Sequence, residues 1–395
     1  MCVLSKTSLY IYQVCMGFPL KYTSESGTGK RLTFSPAVFC WGLTKTILQT
    51  GLMSFVIYVI LTKGLVIFSN TNINLNVYLV LITTTMLTEV VTFYSCARSY
   101  TNFLDICVTL ERVDYRLQLT PSKCWMTVKF TALICVIILT PIIAGGMSLY
   151  HILKLTKDHE LIISRIILYS CSIATYYFQV CILVQFHEVT HCIATRFRLI
   201  NARIRQEVII QSYRQSVLRQ YPRCINRGQD RNSNNKIKTF MSAYQMLCEA
   251  VDKVNAFYCD PLLSIIFYRF VYVTFTLYAL FLCLVSENPL GHIKTPIWLT
   301  VHICYLLQIV SSSSDVTQAA DETSPIICKL INKDLDAGLK RQLDSFLLQL
   351  AFQNVEFCAK GGFKVNRKML TTMAATVTTY LVILIQFQTQ IKSNY

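Results

Sequence analysis

Charged residues are scarce in this sequence. Asp, Glu, Lys and Arg make up 15% of its 395 residues, whereas 53% are hydrophobic and the mean hydropathy is +0.44. Soluble globular domains carry about 25% charged residues. The composition therefore excludes an ordinary soluble protein and predicts an all-α polytopic membrane protein.

Acidic residues are especially few, with 21 against 37 basic residues and a formal net charge of +16. This excess does not indicate nucleic-acid binding, because the basic residues lie in alternate loops between apolar segments. The N-terminal segment and the second, fourth and sixth loops hold 28 of them, and the opposite side holds five. By the positive-inside rule we expect a cytoplasmic N-terminus, and an odd number of spans then places the C-terminus outside.

Two other features are missing from the sequence. It has no Asn-x-Ser/Thr sequon and no cleavable-signal pattern, since about forty mixed residues precede the first apolar run. Its seventeen cysteines avoid the segments that we expect to face outside. We therefore predict no structural disulfide and thiols that lie in the spans or on a reducing cytoplasmic face.

Seven apolar runs are predicted to cross the membrane as helices, the sixth of them being short. They cover residues 42–61, 75–96, 129–150, 161–186, 261–285, 297–310 and 369–391. The chain is thereby divided into a cytoplasmic N-terminal segment (1–36), helices 1–4 (37–186), a cytoplasmic helical loop (187–260), helices 5 and 6 (261–311), a cytoplasmic anchor helix region (312–368), and helix 7 with a short extracellular tail (369–395).

The predicted cytoplasmic segments are partly helical. Apolar periodicity on both sides of a polar break from Pro222 to Asn235 predicts that the fourth and fifth spans extend into the cytoplasm as amphipathic helices. A further amphipathic helix is predicted from Leu335 to Phe357, and the short sixth span requires the hydroxyls of its serine end, residues 311–314, to bond back or face water. Residues 24–29 are turn-prone and predict a flexible loop.

Ionisable residues interrupt three of the predicted spans. In the expected orientation Arg165 lies near the outer end, whereas Arg269 and Glu89 lie in the inner half. Such side chains face protein or water rather than lipid. They either fix the helix bundle by pairing between helices or form the polar wall of a ligand cavity, and the sequence alone leaves both interpretations open.

The segment His187-Glu188-Val189-Thr190-His191 matches the H-E-x-x-H pattern of zinc proteases. Two imidazoles one helical turn apart supply two zinc ligands, and the carboxylate between them supplies a general base. A catalytic site also needs a third protein ligand, and the sequence offers no convincing one. An intramembrane zinc metalloprotease therefore stays an alternative, beside a polar helix exit at the headgroup boundary.

Aromatic and hydrogen-bonding side chains gather in the outer halves of several predicted spans. They are Tyr150 and His151 in the third span, Tyr169, Tyr176 and Tyr177 in the fourth, Thr276 and Tyr278 in the fifth, and Trp298, His302 and Tyr305 in the sixth. An interfacial aromatic belt explains part of this set. The run from Trp298 through His302 to Tyr305 continues inward on nearly one face, which also fits an apolar pocket with a few placed donors.

The last predicted helix carries a mostly polar stripe in an apolar segment. At 3.6 residues per turn one face holds Thr372, Thr376, Thr379, Ile383, Gln386, Phe387 and Gln390. Hydroxyls and amides buried in hydrocarbon need either a partner helix or water. The helix therefore either packs tightly against others or lines a wet pathway.

Several motifs carry a resemblance to a known family. Thr379-Tyr380, five apolar residues and then Gln386-Phe387 resemble the C-terminal signature of the insect gustatory receptors. The lead-in from Phe357 to Leu370 resembles that of the same family, and the run from Arg196 to Asn201 resembles it more weakly.

The resemblance implies a tetrameric, tastant-gated cation channel in the plasma membrane of a sensory neuron, with the N-terminus inside. Each subunit would contribute its last helix to a central pore, with Ile383 and Phe387 as gate residues, Gln386 as the amide of the signature and Gln390 at the outer mouth. The ligand cavity would lie in the outer half of each subunit. A pathway without carboxylates, as in this helix, predicts weak discrimination among cations.

The implied partners are a small-molecule tastant, membrane lipid, permeant cations, and further copies of the chain or related subunits. No cofactor, bound metal or nucleic acid is expected. A heptahelical receptor that signals through a G protein is a second alternative, and it differs from the channel in the side on which the N-terminus lies.

Overall fold

The computed structural model describes most of the chain. The described residues are 6–24, 30–63, 75–119, 159–220, 227–286, 289–332, 335, 337–359 and 363–393, with five residues between 120 and 158. The fold is almost entirely helical, as the composition predicted. Its described helices are α1 (Lys6–Met16), α2 (Pro36–Lys63), α3 (Leu75–Arg98), α4 (Tyr100–Arg116), α5 (His159–Gln220), α6 (Arg227–Ser286), α7 (Pro289–Asp321), α8 (Thr323–Ile331), α9 (Ala337–Phe352) and α10 (Arg367–Ser393).

Six of the described helices are long and apolar enough to cross a membrane. They are α2, α3, α5, α6, α7 and α10, and they contain six of the seven predicted spans. Most of the predicted third span, residues 129–150, lies outside the described residues. Within it Cys135, Ile138, Leu139, Ile142 and Gly146 are helical, and the hydroxyl of Tyr177 on α5 donates to the carbonyl of Ile138 over 3.1 Å.

Helices α5 and α6 are far longer than a bilayer is thick. They contain 62 and 60 residues, which corresponds to about 90 Å each, against a hydrocarbon core of about 30 Å. The prediction that both spans continue as helices well past the thickness of a bilayer is therefore confirmed, and the side of the membrane on which they continue stays a prediction. The predicted polar break was too long, because α6 already begins at Arg227. The later residues of α6 are buried in the core and fix the helix there. Because helix propagation is cooperative, the helix also extends back through the polar residues of its first turns.

Helix α7 continues through the serines that follow the short sixth span. Ser313 donates either to the carbonyl of Val310 in its own helix, at 3.0 Å, or to that of Val365 ahead of α10, at 2.9 Å. Ser312 bonds the ring of His187 on α5 at 2.9 Å. The hydroxyls thus bond back to protein, as the sequence required, and tie α7 to its neighbours.

Helix α9 is shorter than predicted, because it ends at Phe352 rather than Phe357. The chain leaves the helix where Asn255 of α6 bonds its backbone. The Asn255 amide donates to the carbonyl of Glu356 over 2.8 Å and accepts from the N–H of Cys358 over 3.3 Å. Phe357 is buried all the same, beside the short antiparallel pair β3 (Cys358–Ala359) and β4 (Phe363–Lys364).

The N-terminal segment is ordered into elements that the sequence did not predict. Helix α1 is followed by an antiparallel hairpin of β1 (Leu20–Ser24) and β2 (Lys30–Phe34), and part of the predicted flexible loop, residues 25–29, lies outside the described residues. Gly17 ends α1 with a positive φ of 64°, and a Cβ atom there would lie 2.2 Å from Cα of Gly42. Only glycine allows this close approach of α1 to α2.

One apolar core runs from the apolar spans into the extensions of α5 and α6 beyond them. The motif from Arg196 to Asn201 lies in this extension and holds three elements to α5. Arg196 forms a two-pronged ion pair with Asp114 of α4 at 2.6 Å. Asn201 donates to the carbonyl of Ala319 on α7 and accepts from the Thr323 hydroxyl on α8, at 2.9 and 2.7 Å. Arg196 and Asn201 of the motif therefore serve packing between helices, whereas Arg198 is exposed.

Candidate functional site

Helix α10 packs on α6 and α7 through one side. Met369 and Val377 are buried there, and the ring of Tyr380 lies edge-on to that of Phe270 on α6, with 6.4 Å between centroids. The predicted final helix is confirmed, and its first half is attached to the bundle of its own chain.

The rest of α10 is exposed to an unusual degree. In its most apolar window 11% of the residues are buried, whereas the values for the other described spans are 33–50%. Residues follow each other at about 100° around a helix, so Gln386, nine residues after Val377, lies on the opposite side. Gln386, Thr379 and Ile383 are all exposed. The side chains of Phe387 and Gln390 lie outside the described residues.

A second cluster lies between α5, α6 and α7, with the guanidinium of Arg269 at its centre. Arg269 is 0% exposed, and its Nη1 donates to Nδ1 of His302 over 2.7 Å. Its carbon Cζ lies 3.9 Å from the ring centroid of Tyr305, 5.2 Å from that of Tyr268 and 5.3 Å from that of Tyr176. No carboxylate among the described residues pairs with it. We call these five residues the arginine cage.

Aromatic faces stabilise a desolvated cation by about 2 kcal/mol or more each. The cage therefore compensates part of the cost of burying Arg269, but it leaves the net charge in place. On the side nearer the starts of α5 and α7, Trp298 stacks on His302 at 6.0 Å and meets Tyr176 edge-on at 5.9 Å. The hydroxyl of Tyr305 donates to the carbonyl of Gln179 on α5.

The structure brings together three of the predicted ligand-binding residues, namely Trp298, His302 and Tyr305. The other three lie further along the same helices. Tyr169 is two turns from Tyr176 on α5, and Thr276 and Tyr278 are two turns or more beyond Arg269 on α6, or about 10 Å. They extend from the cage toward the side that we expect to face outside.

Sequence reasoning did not connect Arg269 with this cluster. It placed Arg269 in the inner half of the membrane and His302 with Tyr305 in the outer half, whereas the structure puts all three side by side. The depth of each residue in the membrane was inferred from its distance to the end of its own span. The offset between α6 and α7 along the membrane normal depends on packing, which the sequence does not give. Tyr268 was missed as well, although its position next to a buried arginine was a usable signal.

Glu89 forms a separate buried network. Its carboxylate accepts from the hydroxyl of Thr175 on α5 over 2.9 Å, and the amide of Gln49 on α2 bonds the same threonine and the carbonyl of Cys171. The network joins α2, α3 and α5. Of the two interpretations left open for Glu89, this geometry favours pairing between helices. Arg165 is half-buried near the start of α5.

The residues of the H-E-x-x-H pattern have structural partners. Glu188 accepts from Ser8 and Tyr12 of α1, at 3.0 and 2.9 Å. Burial, helped by the nearby Glu188 carboxylate, raises the pKa of Tyr12 well above its ordinary value, so its hydroxyl keeps the proton that it donates. The carboxylate that a protease would use as a base thus holds α1 against α5.

The two histidines of the pattern are neighbours, with 5.8 Å between ring centroids. Nδ1 of His187 bonds Ser312 and also contacts the amide of Gln308, at 2.9 and 3.2 Å. Among the residues that the structure describes, no group of three His, Cys, Asp or Glu side chains is placed to hold a metal ion. The geometry therefore gives the protease alternative no support.

Comparison with known proteins points to one family. The sequence profile of the family described as 7tm Chemosensory receptor matches residues 6–391. The chain is 29% identical over 159 residues to the gustatory receptor for sugar taste 43a of Drosophila melanogaster, a stretch that covers 40% of this chain and 37% of that receptor. The chain thus matches little more than a third of the length of this curated relative.

Solved structures share the fold over nearly the whole chain. The insect olfactory receptor OR5 from Machilis hrabei matches with a TM-score of 0.66, 10% sequence identity and 97% coverage of each chain. The same receptor in complex with eugenol matches with a TM-score of 0.62 at the same identity and coverage. At 10% identity this likeness shows a shared fold and nothing more.

Replacing Glu188 by Ala should destabilise the protein. The variant leaves the buried Tyr12 hydroxyl without its acceptor, which costs about 1–3 kcal/mol, and we expect the melting temperature of the purified protein to fall by several degrees. Glu249→Ala, at an exposed site on α6, is the control and should melt like the wild type. A chelator should leave the melting temperatures of the wild type and of both variants unchanged. A lower wild-type melting temperature in EDTA, absent in His187→Ala, would instead show a metal site.

Proposed function

The chain belongs to the 7tm chemosensory receptor family, and on that premise we propose that it is a gustatory receptor acting as a tastant-gated, non-selective cation channel. Subunits assemble, as a tetramer, around a pore lined by α10 in the plasma membrane of a sensory neuron. The N-terminus lies in the cytoplasm and the C-terminus outside, as the distribution of basic residues predicts.

One observation carries the proposal. Helix α10 is apolar enough to span the membrane, yet it leaves Thr379 and Gln386 unburied on the side away from its own bundle. The Thr379 hydroxyl donates within its own helix, to the carbonyl of Ala375, but an amide such as that of Gln386 is costly in contact with acyl chains. A central axis shared with other subunits gives this face both helical neighbours and water, so the wet pathway is the interpretation that we adopt for the stripe.

The gate follows from the chemistry of the same face. Rings of Ile383 and Phe387 form an apolar neck that loses its water and blocks ions, and the amides of Gln386 offer a polar replacement when α10 rotates. A tastant opens the pore to the extent that it binds the open state more tightly than the closed state. With no carboxylate on α10, the pore selects weakly among cations.

We place the tastant site on the outer side of the arginine cage. Trp298 and His302 form its apolar floor with the buried Arg269 behind them, and Tyr169, Thr276 and Tyr278 offer donors further out. Because α6 and α7 also carry α10, a ligand that moves them acts directly on the pore helix. Small molecules with an apolar body and a few hydrogen-bonding groups fit such a lining.

The orientation separates the channel from a G-protein-coupled receptor. Epitope tags placed at each terminus should be accessible to antibody on intact cells only at the C-terminus, and at both termini after permeabilisation. A second tag in the segment between residues 221 and 226 serves as an internal cytoplasmic control. Labelling of the N-terminal tag on intact cells would contradict the proposed orientation and favour the G-protein alternative.

The pore assignment predicts a change of permeation in Gln386→Ala. With a tastant panel and current recording in cells, we expect altered conductance or gating because the amide ring is lost. Gln388→Ala is the matched control, since position 388 lies about 160° away on the helix. If currents appear and Gln386→Ala matches both the wild type and the control, α10 does not line the pore in the proposed register.

The ligand site predicts a loss of sensitivity in Trp298→Ala. Removing this ring opens the floor of the site, and we expect the half-maximal tastant concentration to rise about ten-fold or more, the equivalent of about 1.4 kcal/mol of binding. Phe267→Ala, at a half-exposed ring on α6, is the control and should respond like the wild type. Unchanged sensitivity in Trp298→Ala at normal surface expression would move the site elsewhere.

A further inference from the structure

An open groove lies between α2 and α3. None of its lining residues belongs to the arginine cage. Its volume is about 700 Å³. Gly51 leaves free space along it, since a Cβ atom there would meet nothing within 4 Å. The lining residues are Phe39, Leu43, Thr46, Ile47, Thr50, Gly51, Ser54, Val90, Phe93, Tyr94, Ala97 and Arg98.

The wall of this groove is apolar in effect. Its three hydroxyl residues on α2 donate to carbonyls of their own helix, with Thr46 bonding Gly42, Thr50 bonding Thr46 and Ser54 bonding Thr50 at 2.6–2.9 Å. Their hydroxyl protons are therefore donated within α2 and are not directed at the groove. What remains along the groove is a surface suited to a hydrocarbon chain.

One end of the groove lies at headgroup depth. Helix α2 enters the membrane where α3 leaves it, so Phe39 and Arg98 lie at the same end. Trp41 stands beside this end, is 54% exposed, and donates its indole N–H to the carbonyl of Val14 over 3.2 Å. Exposed tryptophans concentrate at the membrane–water interface.

The same end carries a positive charge. Arg98 is the last residue of α3, it is exposed, and no carboxylate among the described residues forms an ion pair with it. Guanidinium groups bind phosphate through two parallel hydrogen bonds. A hydrocarbon groove that ends at an available arginine matches a molecule with an acyl chain and an anionic head.

We propose that this groove binds one anionic phospholipid, with its phosphate at Arg98 and one acyl chain along α2 and α3. From Phe39 to Ser54 the groove follows α2 for about 22 Å. One leaflet of the hydrocarbon core is about 15 Å thick, which leaves the remainder for the headgroup region. The site does not depend on channel activity, and with a cytoplasmic N-terminus it opens to the leaflet that holds the anionic lipids.

The test is retention of lipid by the purified, delipidated protein. The protein is incubated in detergent with equal amounts of phosphatidylglycerol and phosphatidylcholine of the same acyl chains, repurified, and its lipid measured by mass spectrometry. We expect about one phosphatidylglycerol per chain and a preference over phosphatidylcholine that falls about five-fold in Arg98→Gln. Arg112→Gln, an exposed arginine on α4 outside the groove, should keep the preference.

A second variant tests the groove itself. Gly51→Phe adds a ring from a position where a Cβ atom meets nothing within 4 Å, so retention of both lipids should fall, whereas Leu48→Phe, at an exposed position of α2 that does not line the groove, should retain them. Unchanged retention in Gly51→Phe overturns the proposal, and a change in oligomer mass with unchanged lipid would show a second copy as the occupant. An equal loss of preference in Arg98→Gln and Arg112→Gln would show general surface charge, which also overturns it.

Discussion

A polar group in the hydrocarbon of a bilayer must find protein or water, and this requirement governs the structure. Within one subunit it is met at Glu89, which bonds Thr175, at Arg269, which bonds His302, and at Ser313, which bonds backbone carbonyls. The side of α10 that faces away from α6 and α7 leaves Gln386 exposed, while hydroxyls such as those of Thr378 and Thr379 donate to carbonyls of α10 itself. In the channel that we propose, assembly of subunits around α10 covers this side of the helix.

The same helices that bury the arginine cage also hold the last helix. Helices α6 and α7 contribute Arg269 and His302 on one side and contact α10 on the other. The chain just before α10 is fixed as well, since Val365 accepts from Ser313 and Asn255 bonds the backbone around Phe357. The inner end of α10 is thus attached firmly, while its outer part has fewer neighbours.

Much of the fold could be predicted, because apolar runs, basic loops and periodicity follow directly from the bilayer. The six described spans, the helical continuation of two of them in α5 and α6, and the final helix were of this kind. The arginine cage was not, because its members come from three helices whose relative heights depend on packing. The end of α9 and the role of Glu188 depended likewise on distant partners, Asn255 and Tyr12, that no local pattern reveals. The positions of Phe387 and Gln390 stay predictions.

The unbroken course of α5 and α6 has a mechanical consequence. Each is about 90 Å long, and Pro261 lies within α6 without ending it. Stiff rods of this length act as lever arms: a tilt of about 3° about their middle displaces each tip by about 2 Å, in opposite directions. A small tilt imposed at one end of either helix therefore moves the opposite tip as well, with no local unwinding.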